Sequence, residues 1–245
     1  FLFARQTSVD IRLGRDAAGK KAVAKTNPLF RAISIKTIPA ATPQSDLSEA
    51  STSGWTVVDK DAALQMSAAA YYMGRDLAAD AKVPVGIIDL NLGSAFPNSW
   101  LSRAVLEETS KFYDDKEVAS QVTMYDEKLE AEVKGVPFKK AKVAPSNTVF
   151  ETLFPCGGYN AVLNPLKGLT LKAALIQLGN DYPYMIYADI LASDDPFSRP
   201  QLNTAYVETY NIRKVGFRME SKTTPRIARE WRKTLGETEL PMGLI

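Results

Sequence analysis

Short apolar runs alternate with helical segments along this chain, and this alternation constrains its fold more than any other feature. The runs at residues 1–4, 30–37, 85–89 and 171–178 are apolar or β-branched, as expected of strands buried on both faces. A further strand is predicted at 240–245. Between the strands, residues 61–81 and 225–235 carry apolar side chains at helical spacing. The pattern predicts an α/β fold, with a mostly parallel central sheet covered by helices on both faces.

Capping residues and composition predict the boundaries of the remaining segments. Thr224 as N-cap with Pro225 at the first helical position begins the last helix, and Gly236 ends it. Asn98 or Ser99 is predicted to cap a helix that begins near residue 100. The charged stretch at 107–142 predicts solvated helix and loop with little core. The Pro/Ser/Thr-rich stretch at 39–54 predicts an exposed loop.

The composition narrows the classes of function. Thirty Lys and Arg against 28 Asp and Glu leave a formal charge of +2, which does not favour a nucleic-acid partner. The sequence contains no histidine, so a Ser-His-Asp or Cys-His mechanism confined to these residues is excluded. No Cys/His set offers a metal site, and Cys156 is interpreted as an inert thiol. No apolar run approaches the roughly 18 residues of a membrane span. We expect no metal, no cofactor and no membrane span.

Functional residues of parallel sheets lie in the loops that follow the carboxyl ends of the strands. Three predicted loops meet this condition, at residues 5–10, 90–98 and 179–184. Asp89 ends the predicted strand before the second loop. We interpret it as a residue that caps a turn or a helix, because aspartate at such positions does so more often than it acts in catalysis.

Several stretches resemble the sialate O-acetylesterase family, a carbohydrate esterase branch of the SGNH hydrolases. Residues 66–100, MSAAAYYMGRDLAADAKVPVGIIDLNLGSAFPNSW, are similar to the family's Phe-Ser-Ala helix, Val-Pro-Val-Gly-Leu-Ile strand and Trp-Gly-Gly-Thr loop. Residues 159–178 resemble its Tyr-Asn-x-Met-x-x-Pro-Leu run, and residues 231–242 resemble its Trp-Arg and Leu-Pro-Phe stretches. The resemblance implies a single three-layer α/β/α SGNH-hydrolase-like domain over residues 1–245, with excursions at about 101–147 and 183–222.

The first predicted loop departs from the family's nucleophile loop. The family removes acetyl groups from carbohydrate hydroxyls with the serine of a Gly-Gln-Ser-Asn-Met sequence. Here the loop begins Arg5-Gln6-Thr7, so the resemblance places Thr7 at the nucleophile position and leaves Gln6 as an unchanged candidate for substrate binding. Arg5 replaces a glycine that permits a tight turn, and the extra methyl group of threonine restricts χ1.

The second and third loops carry the groups that the resemblance assigns to the oxyanion. Gly93 corresponds to a glycine whose backbone N–H stabilises the developing negative charge. Ser94 follows it where the family has another glycine. Tyr182 stands at the position of the family's oxyanion asparagine. Ser94 and Asn180 complete the candidate substrate-binding residues.

These substitutions predict a catalytically degenerate domain that serves as a carbohydrate-binding or structural interaction module of a larger extracellular protein or assembly. The alternative is an active carbohydrate O-acetylesterase, which transfers the acyl group to water through Thr7 and a His/Asp pair beyond Ile245. The family's Asp-x-x-His motif follows the final strand, and this chain ends within that strand. We therefore expect the domain to be incomplete at its C-terminus. The resemblance implies a secreted, periplasmic or cell-surface location and a carbohydrate or another protein chain as partner.

Overall fold

The sheet is the centre of the molecule. The computed structural model describes residues 1–5, 11–15, 18, 21, 23, 27–92, 97–114, 116–136, 155–177, 226–236 and 239–244. Within these residues, six strands form one sheet in the order β3-β2-β4-β1-β5-β6. The strands are β1 (Leu2–Arg5), β2 (Phe30–Lys36), β3 (Thr56–Val57), β4 (Val85–Asn91), β5 (Ala174–Gln177) and β6 (Met242–Leu244). Only the β2–β3 pair is antiparallel among these strands. The predicted mostly parallel sheet is confirmed.

Helices cover both faces of the sheet and complete three layers. On one face, α1 (Lys60–Gln65) and α2 (Ala68–Ala81) pack on a cluster that includes Phe3 and Ile87. On the other face, α3 (Arg103–Tyr113), α4 (Lys116–Val133) and α5 (residues 226–234) pack on a cluster that includes Leu2 and Ile88. Successive strand residues alternate between the clusters because their side chains point to opposite faces. No helix in the described ranges is both long and apolar enough to cross a membrane.

The helix predicted over residues 61–81 is divided in two at Met66. The backbone of Met66 is extended, with φ −70° and ψ 160°, and its carbonyl accepts a hydrogen bond from the backbone N–H of Leu13 at 3.0 Å. Ser67 then caps α2, because its hydroxyl accepts from the N–H of Ala70 at 3.5 Å. The prediction of one continuous helix is wrong. The carbonyl of Met66, which would accept a bond within a continuous helix, accepts the N–H of Leu13 instead.

The helix predicted near the C-terminus is confirmed over its described part. The three apolar residues predicted to share one face of this helix are fully buried in the cluster on which α5 packs: Ile227, Trp231 and Leu235. Gly236 has φ +78°, the left-handed conformation that commonly ends a helix. The predicted N-cap at Thr224 and the proline after it lie outside the described residues.

The predicted caps at Asn98 and Ser99 are wrong. These residues lie in a short 3₁₀ segment, Pro97–Trp100, and α3 begins only at Arg103. The cap is Ser102, whose hydroxyl accepts from a backbone N–H of the first turn at 3.3 Å. The hydroxyl of Ser99 instead accepts from the N–H of Gly158 at 3.0 Å, so it is already bonded to a distant segment.

The charged stretch from residue 107 contributes more to the core than its composition predicts. Val118, Val122 and Tyr125 of α4 are buried in the same cluster as the sheet residues. The charges lie on the outer side, where Arg103 pairs with Glu107 and with an aspartate of α4. The prediction of little core in this stretch is wrong. Of the two predicted excursions, 101–147 is described through residue 136, and 183–222 lies outside the described residues.

Candidate functional site

The strands that lead into the three predicted loops end side by side. Arg5, the last residue of β1, is the register partner of Asn91 in β4 and of Gln177 in β5. The strand β1 therefore lies between β4 and β5, and the next strand along the chain, β2, lies beyond β4. Sheets of this type bind ligands at the carboxyl ends of their strands, where the strand order reverses.

The residues that the sequence assigned to the site lie outside the described residues, so their roles stay predictions. They comprise the proposed nucleophile position, the oxyanion positions and the candidate substrate-binding residues: Gln6, Thr7, Gly93, Ser94, Asn180 and Tyr182. The structure describes the strand ends next to them and part of the surface that surrounds those ends.

A cavity of about 420 Å³ lies at the carboxyl ends of β1, β2 and β4. Its volume falls within the roughly 300–1,000 Å³ of small-molecule sites. Its lining combines hydroxyl and amide side chains with charged ones: Ser34, Ser51, Thr52, Ser53, Gln65, Asn91, Arg5, Arg12, Lys36 and Asp89. Ile35 and Ala50 complete the described lining. Because most of these side chains form hydrogen bonds, the cavity suits a polar ligand.

A buried ion pair forms the floor of this cavity. Nη1 of Arg5 lies 3.0 Å from Oδ1 of Asp89, and the two side chains are only 5% and 1% exposed. Nη2 of Arg5 also donates to Oδ2 of Asp89 at 3.4 Å, and the backbone N–H of Ser67 donates to the same oxygen at 3.3 Å. Buried charges are tolerated in proteins when they are paired in this way. The pair connects β1, β4 and the start of α2.

Sequence reasoning missed this pair, although it singled out both members. Arg5 was predicted to begin a loop, whereas it ends β1. Asp89 was predicted to end its strand, whereas β4 continues to Asn91. The predicted capping role is partly correct, since its carboxylate accepts the N–H of Ser67 at the start of α2. A usable signal was present: charged residues in two otherwise apolar strands are rarely buried without a partner.

One wall of the cavity is the end of the loop between β2 and β3. The N–H of Ser34 donates to the hydroxyl of Ser53 at 3.0 Å, and the N–H of Ser53 donates to the carbonyl of Ser34 at 3.1 Å. Ile35 and Thr52 form an isolated antiparallel bridge. These bonds hold the hydroxyls of the loop beside the end of β2.

The same loop is anchored at its other end by the π-helix Tyr159–Leu163. The side-chain amide of Asn160 donates to the carbonyl of Ala41 at 2.9 Å, and its backbone carbonyl accepts from the N–H of Gln44 at the same distance. Ala41 is buried in the core cluster. The prediction of an exposed loop is therefore wrong at this point, because a distant segment packs on it.

Cys156 lies beneath this segment and away from the cavity lining. Its side chain is fully buried, and desolvation by burial raises the pKa of its thiol well above the ordinary value. Reactive cysteines are thiolates, so a thiol held in its neutral form is a poor nucleophile. The structure agrees with the interpretation of Cys156 as inert.

Comparison with known proteins identifies the fold. No protein-family model matches the chain, and no curated protein matches it. The structure is similar to the crystal structure of a carbohydrate acetylesterase from Xanthomonas citri, with a TM-score of 0.60 and 17% sequence identity. The similarity covers 99% of this chain and 40% of that protein, so the chain spans less than half of its length. This chain therefore has the fold of a carbohydrate acetylesterase.

Proposed function

We propose that this chain is a catalytically degenerate domain of the sialate O-acetylesterase type that binds carbohydrate at the carboxyl edge of its sheet. The observation that carries the proposal is the buried pair of Arg5 and Asp89. In the family that the sequence resembles, a glycine precedes the nucleophile and permits a tight turn. Here an arginine occupies that position, and a buried carboxylate 3.0 Å away accommodates its charge.

The chemistry of the lining supports a loss of catalysis. Acyl transfer to water needs a base that takes the proton of the nucleophile, and the described lining of the cavity contains no histidine. A guanidinium has five donors and no acceptor, so Arg5 cannot take that proton. The carboxylate of Asp89 is engaged by Arg5 and by the N–H of Ser67. The other charged groups of the described lining, Arg12 and Lys36, are cations.

The same lining supports carbohydrate as the ligand. Sugars present many hydroxyls that both donate and accept hydrogen bonds, and the cavity offers serine, threonine, asparagine and glutamine side chains. The protein from Xanthomonas citri with this fold is a carbohydrate acetylesterase. We propose, from the sequence resemblance, that the domain works in a larger secreted, periplasmic or cell-surface protein or assembly.

Labelling with a fluorophosphonate tests the loss of catalysis, because this probe reports an activated hydroxyl without a matching substrate. The full-length native protein that contains this chain is incubated with the probe beside an active carbohydrate acetylesterase, and labelled peptides are mapped. We expect labelling of the active enzyme and none of this chain. Labelling at Thr7 that disappears in the Thr7→Ala variant would overturn the proposal and favour the active esterase.

Titration with oligosaccharides tests the binding role. Ala50 lines the cavity and is exposed, so Ala50→Trp is expected to fill the cavity without removing a buried contact. Ala79, an exposed residue of α2 outside the lining, provides the matched control Ala79→Trp. We expect carbohydrate binding that Ala50→Trp weakens by at least about tenfold, a loss of roughly 1.4 kcal/mol. Binding that both variants retain equally would place the ligand elsewhere.

A further inference from the structure

We infer that the indole ring of Trp55 is a second binding site of this chain, a platform on which the C–H face of a pyranose ring stacks. The inference rests on the proposed function for its ligand class and adds a site apart from the cavity. Neither Trp55 nor the two residues on which its position depends, Arg31 and Gly86, belong to the described lining of the cavity.

The side chain of Trp55 crosses one strand of the sheet. Trp55 directly precedes β3, and Arg31 of β2 is the register partner both of Val57 in β3 and of Gly86 in β4. A Cβ atom at Gly86 would lie 3.1 Å from Cζ3 and 3.2 Å from Cη2 of the Trp55 ring. These atoms form the far edge of the indole, so the ring approaches β4 by its edge, and the glycine makes room for it.

The ring of Trp55 is accessible to a ligand. It is 50% exposed, whereas the other two tryptophans, Trp100 and Trp231, are 1% and 0% exposed. Among the residues that the structure describes, no other aromatic ring and no guanidinium stacks on it. An indole combines apolar faces with an N–H donor at its rim, which suits a ligand that is apolar on one side and polar at its edge.

The size of this surface favours a sugar ring over a protein partner. A tryptophan side chain presents at most about 250 Å², so half of it offers on the order of 125 Å². A stable protein interface buries about 800 Å² on each partner around an apolar centre. The residues that flank the ring in the chain and in the sheet are exposed and polar: Ser53, Thr56 and Arg31. An isolated apolar ring with a polar surround therefore fits one pyranose, which has C–H groups on its faces and hydroxyls at its rim.

Arg31 supplies hydrogen-bond donors beside the ring. It is exposed on β2, the strand that the Trp55 side chain crosses, and it forms no ion pair within the described ranges. A guanidinium has five donors and no acceptor, so it can donate to the hydroxyl and ring oxygens of a sugar. The platform thus offers an apolar face and donors at its edge.

Iodide quenching of tryptophan fluorescence tests the platform, because Trp55 is the exposed one of the three tryptophans in the sequence. The full chain is titrated with cellotetraose or with a β-linked galactotetraose. Sorbitol, an open-chain polyol without a ring face, is the control ligand at equal hydroxyl concentration. We expect either tetrasaccharide to lower the iodide quenching constant by about half, because a stacked sugar covers one of the two ring faces. Sorbitol is expected to leave it unchanged.

Calorimetric titration of variants assigns the binding to named side chains. The variants are made in the Ala50→Trp background, so that binding in the cavity does not mask the platform. Trp55→Ala should weaken binding by at least about tenfold, and Trp55→Phe, which keeps a flat ring, should recover part of the loss. Arg31→Gln should weaken it about fivefold. Phe112→Ala removes an exposed aromatic ring of α3 and should bind like the background chain.

The outcomes separate this inference from the proposed function. Carbohydrate binding that Ala50→Trp weakens, without any protection of Trp55, would overturn the inference and leave the cavity as the sugar site. Protection of Trp55 by a tetrasaccharide, lost in Trp55→Ala by calorimetry, would support the platform even where the cavity binds no sugar. Equal protection by sorbitol, or no protection by either tetrasaccharide at millimolar concentration, would overturn it. Protection that grows with protein concentration in the absence of sugar would assign the surface to a second copy of the chain and also overturn it.

Discussion

The guanidinium of Arg5 lies 3.0 Å from the carboxylate of Asp89, and both side chains are buried at the carboxyl edge of the sheet. Arg5 ends β1, while Asp89 lies in the neighbouring strand β4 and also accepts the N–H of Ser67. One ion pair therefore connects two strands and a helix beneath the cavity. Arg5 is also one of the residues at which the sequence departs from the nucleophile loop of the resembled esterases.

Removing Arg5 is expected to destabilise the fold strongly. Arg5→Ala leaves the carboxylate of Asp89 buried without its cation, and breaking a buried pair in this way costs about 3–5 kcal/mol. The free energy of unfolding, measured by urea denaturation, should fall by this amount. Lys134→Ala, which removes an exposed pair with Glu130, should leave the unfolding midpoint almost unchanged.

Replacing both members of the pair distinguishes two contributions to the unfolding free energy. One is the cost of leaving a single buried charge unpaired, and the other is the net contribution of the intact ion pair. Because Arg5→Met with Asp89→Leu buries no charge, this double variant should be more stable than either single variant. A double variant whose loss equals the sum of the two single losses would show that the residues are not coupled.

The side chain of Asn160 is expected to hold the cavity wall indirectly, through the loop between β2 and β3. Its amide donates to the carbonyls of Ala40 and Ala41 at 3.2 and 2.9 Å in a buried position. Asn160→Ala removes both bonds and leaves the carbonyl of Ala40 without this donor, while the hydroxyl of Tyr125 still donates to the carbonyl of Ala41 at 2.9 Å. We expect a loss of about 1–3 kcal/mol in unfolding free energy. Hydrogen exchange at the amides of Ser51 and Ser53, which close the loop, should become faster.

Asn164 provides the matched control for this prediction. Its side-chain amide also donates to a loop carbonyl, that of Gln44 at 2.8 Å, but the bond is exposed to solvent. Water can replace an exposed partner, so Asn164→Ala should reduce stability by less than about 1 kcal/mol. Equal losses in the two variants would argue against burial as the cause.

Replacing Gly74 in α2 by alanine is expected to destabilise the protein, although alanine forms helices more readily than glycine. A Cβ atom at this position would overlap a ring carbon of Phe30 and lie 2.8 Å from the side chain of Ile87. Overpacking of this kind typically costs about 1–3 kcal/mol, which exceeds the roughly 1 kcal/mol gained in helix propensity. Thermal unfolding should therefore show a lower midpoint for Gly74→Ala. Adding Phe30→Leu should recover part of the loss, whereas an increased midpoint would contradict the packing.

Stability is expected to fall as the pH rises through the alkaline range. Burial raises the pKa of the Cys156 thiol above its ordinary value of 9.0, so the folded protein keeps a proton that the unfolded chain loses. Stability decreases wherever the unfolded chain binds fewer protons than the folded protein. Burial also raises the pKa of Tyr125 and Tyr159 above 10.0, which continues the decline at higher pH.

The comparison that isolates the thiol uses the Cys156→Ala variant. Urea midpoints measured from pH 7 to 11 should decline less steeply in the variant than in the unmodified chain from about pH 9 upwards. The additional decline that the two tyrosines cause above pH 10 should be shared by both proteins. Identical slopes throughout would show that the thiol proton does not contribute.

Strand positions and fold class were predictable from the sequence, because burial on both faces leaves a local apolar signature. The runs at β1, β2, β4 and β5 are of this kind, as is the α5 face that carries Ile227 and Trp231. Alternation of strands with helices then restricts the topology to a parallel, covered sheet. The prediction of a site at the carboxyl ends of the strands also follows from this alternation, and a cavity lies at this edge.

Three of the errors share one physical origin, which is competition from distant hydrogen-bonding groups. The carbonyl of Met66 is taken by Leu13, and the hydroxyl of Ser99 is taken by Gly158. The loop carbonyl of Ala41 is taken by Asn160. Local propensity describes what a segment prefers alone, so it fails where a partner far along the chain satisfies the same atom.

The sequence by itself determined which segments are apolar enough to become buried strands and helices, and hence the architecture and the sheet edge at which the cavity lies. Only the tertiary structure decided that Arg5 and Asp89 meet at that edge and form a buried ion pair beneath the cavity. The physical reason is the distance along the chain over which each signal acts. Apolar periodicity is encoded within one segment. Charge pairing depends on strand order and register, which bring residues far apart in the chain side by side.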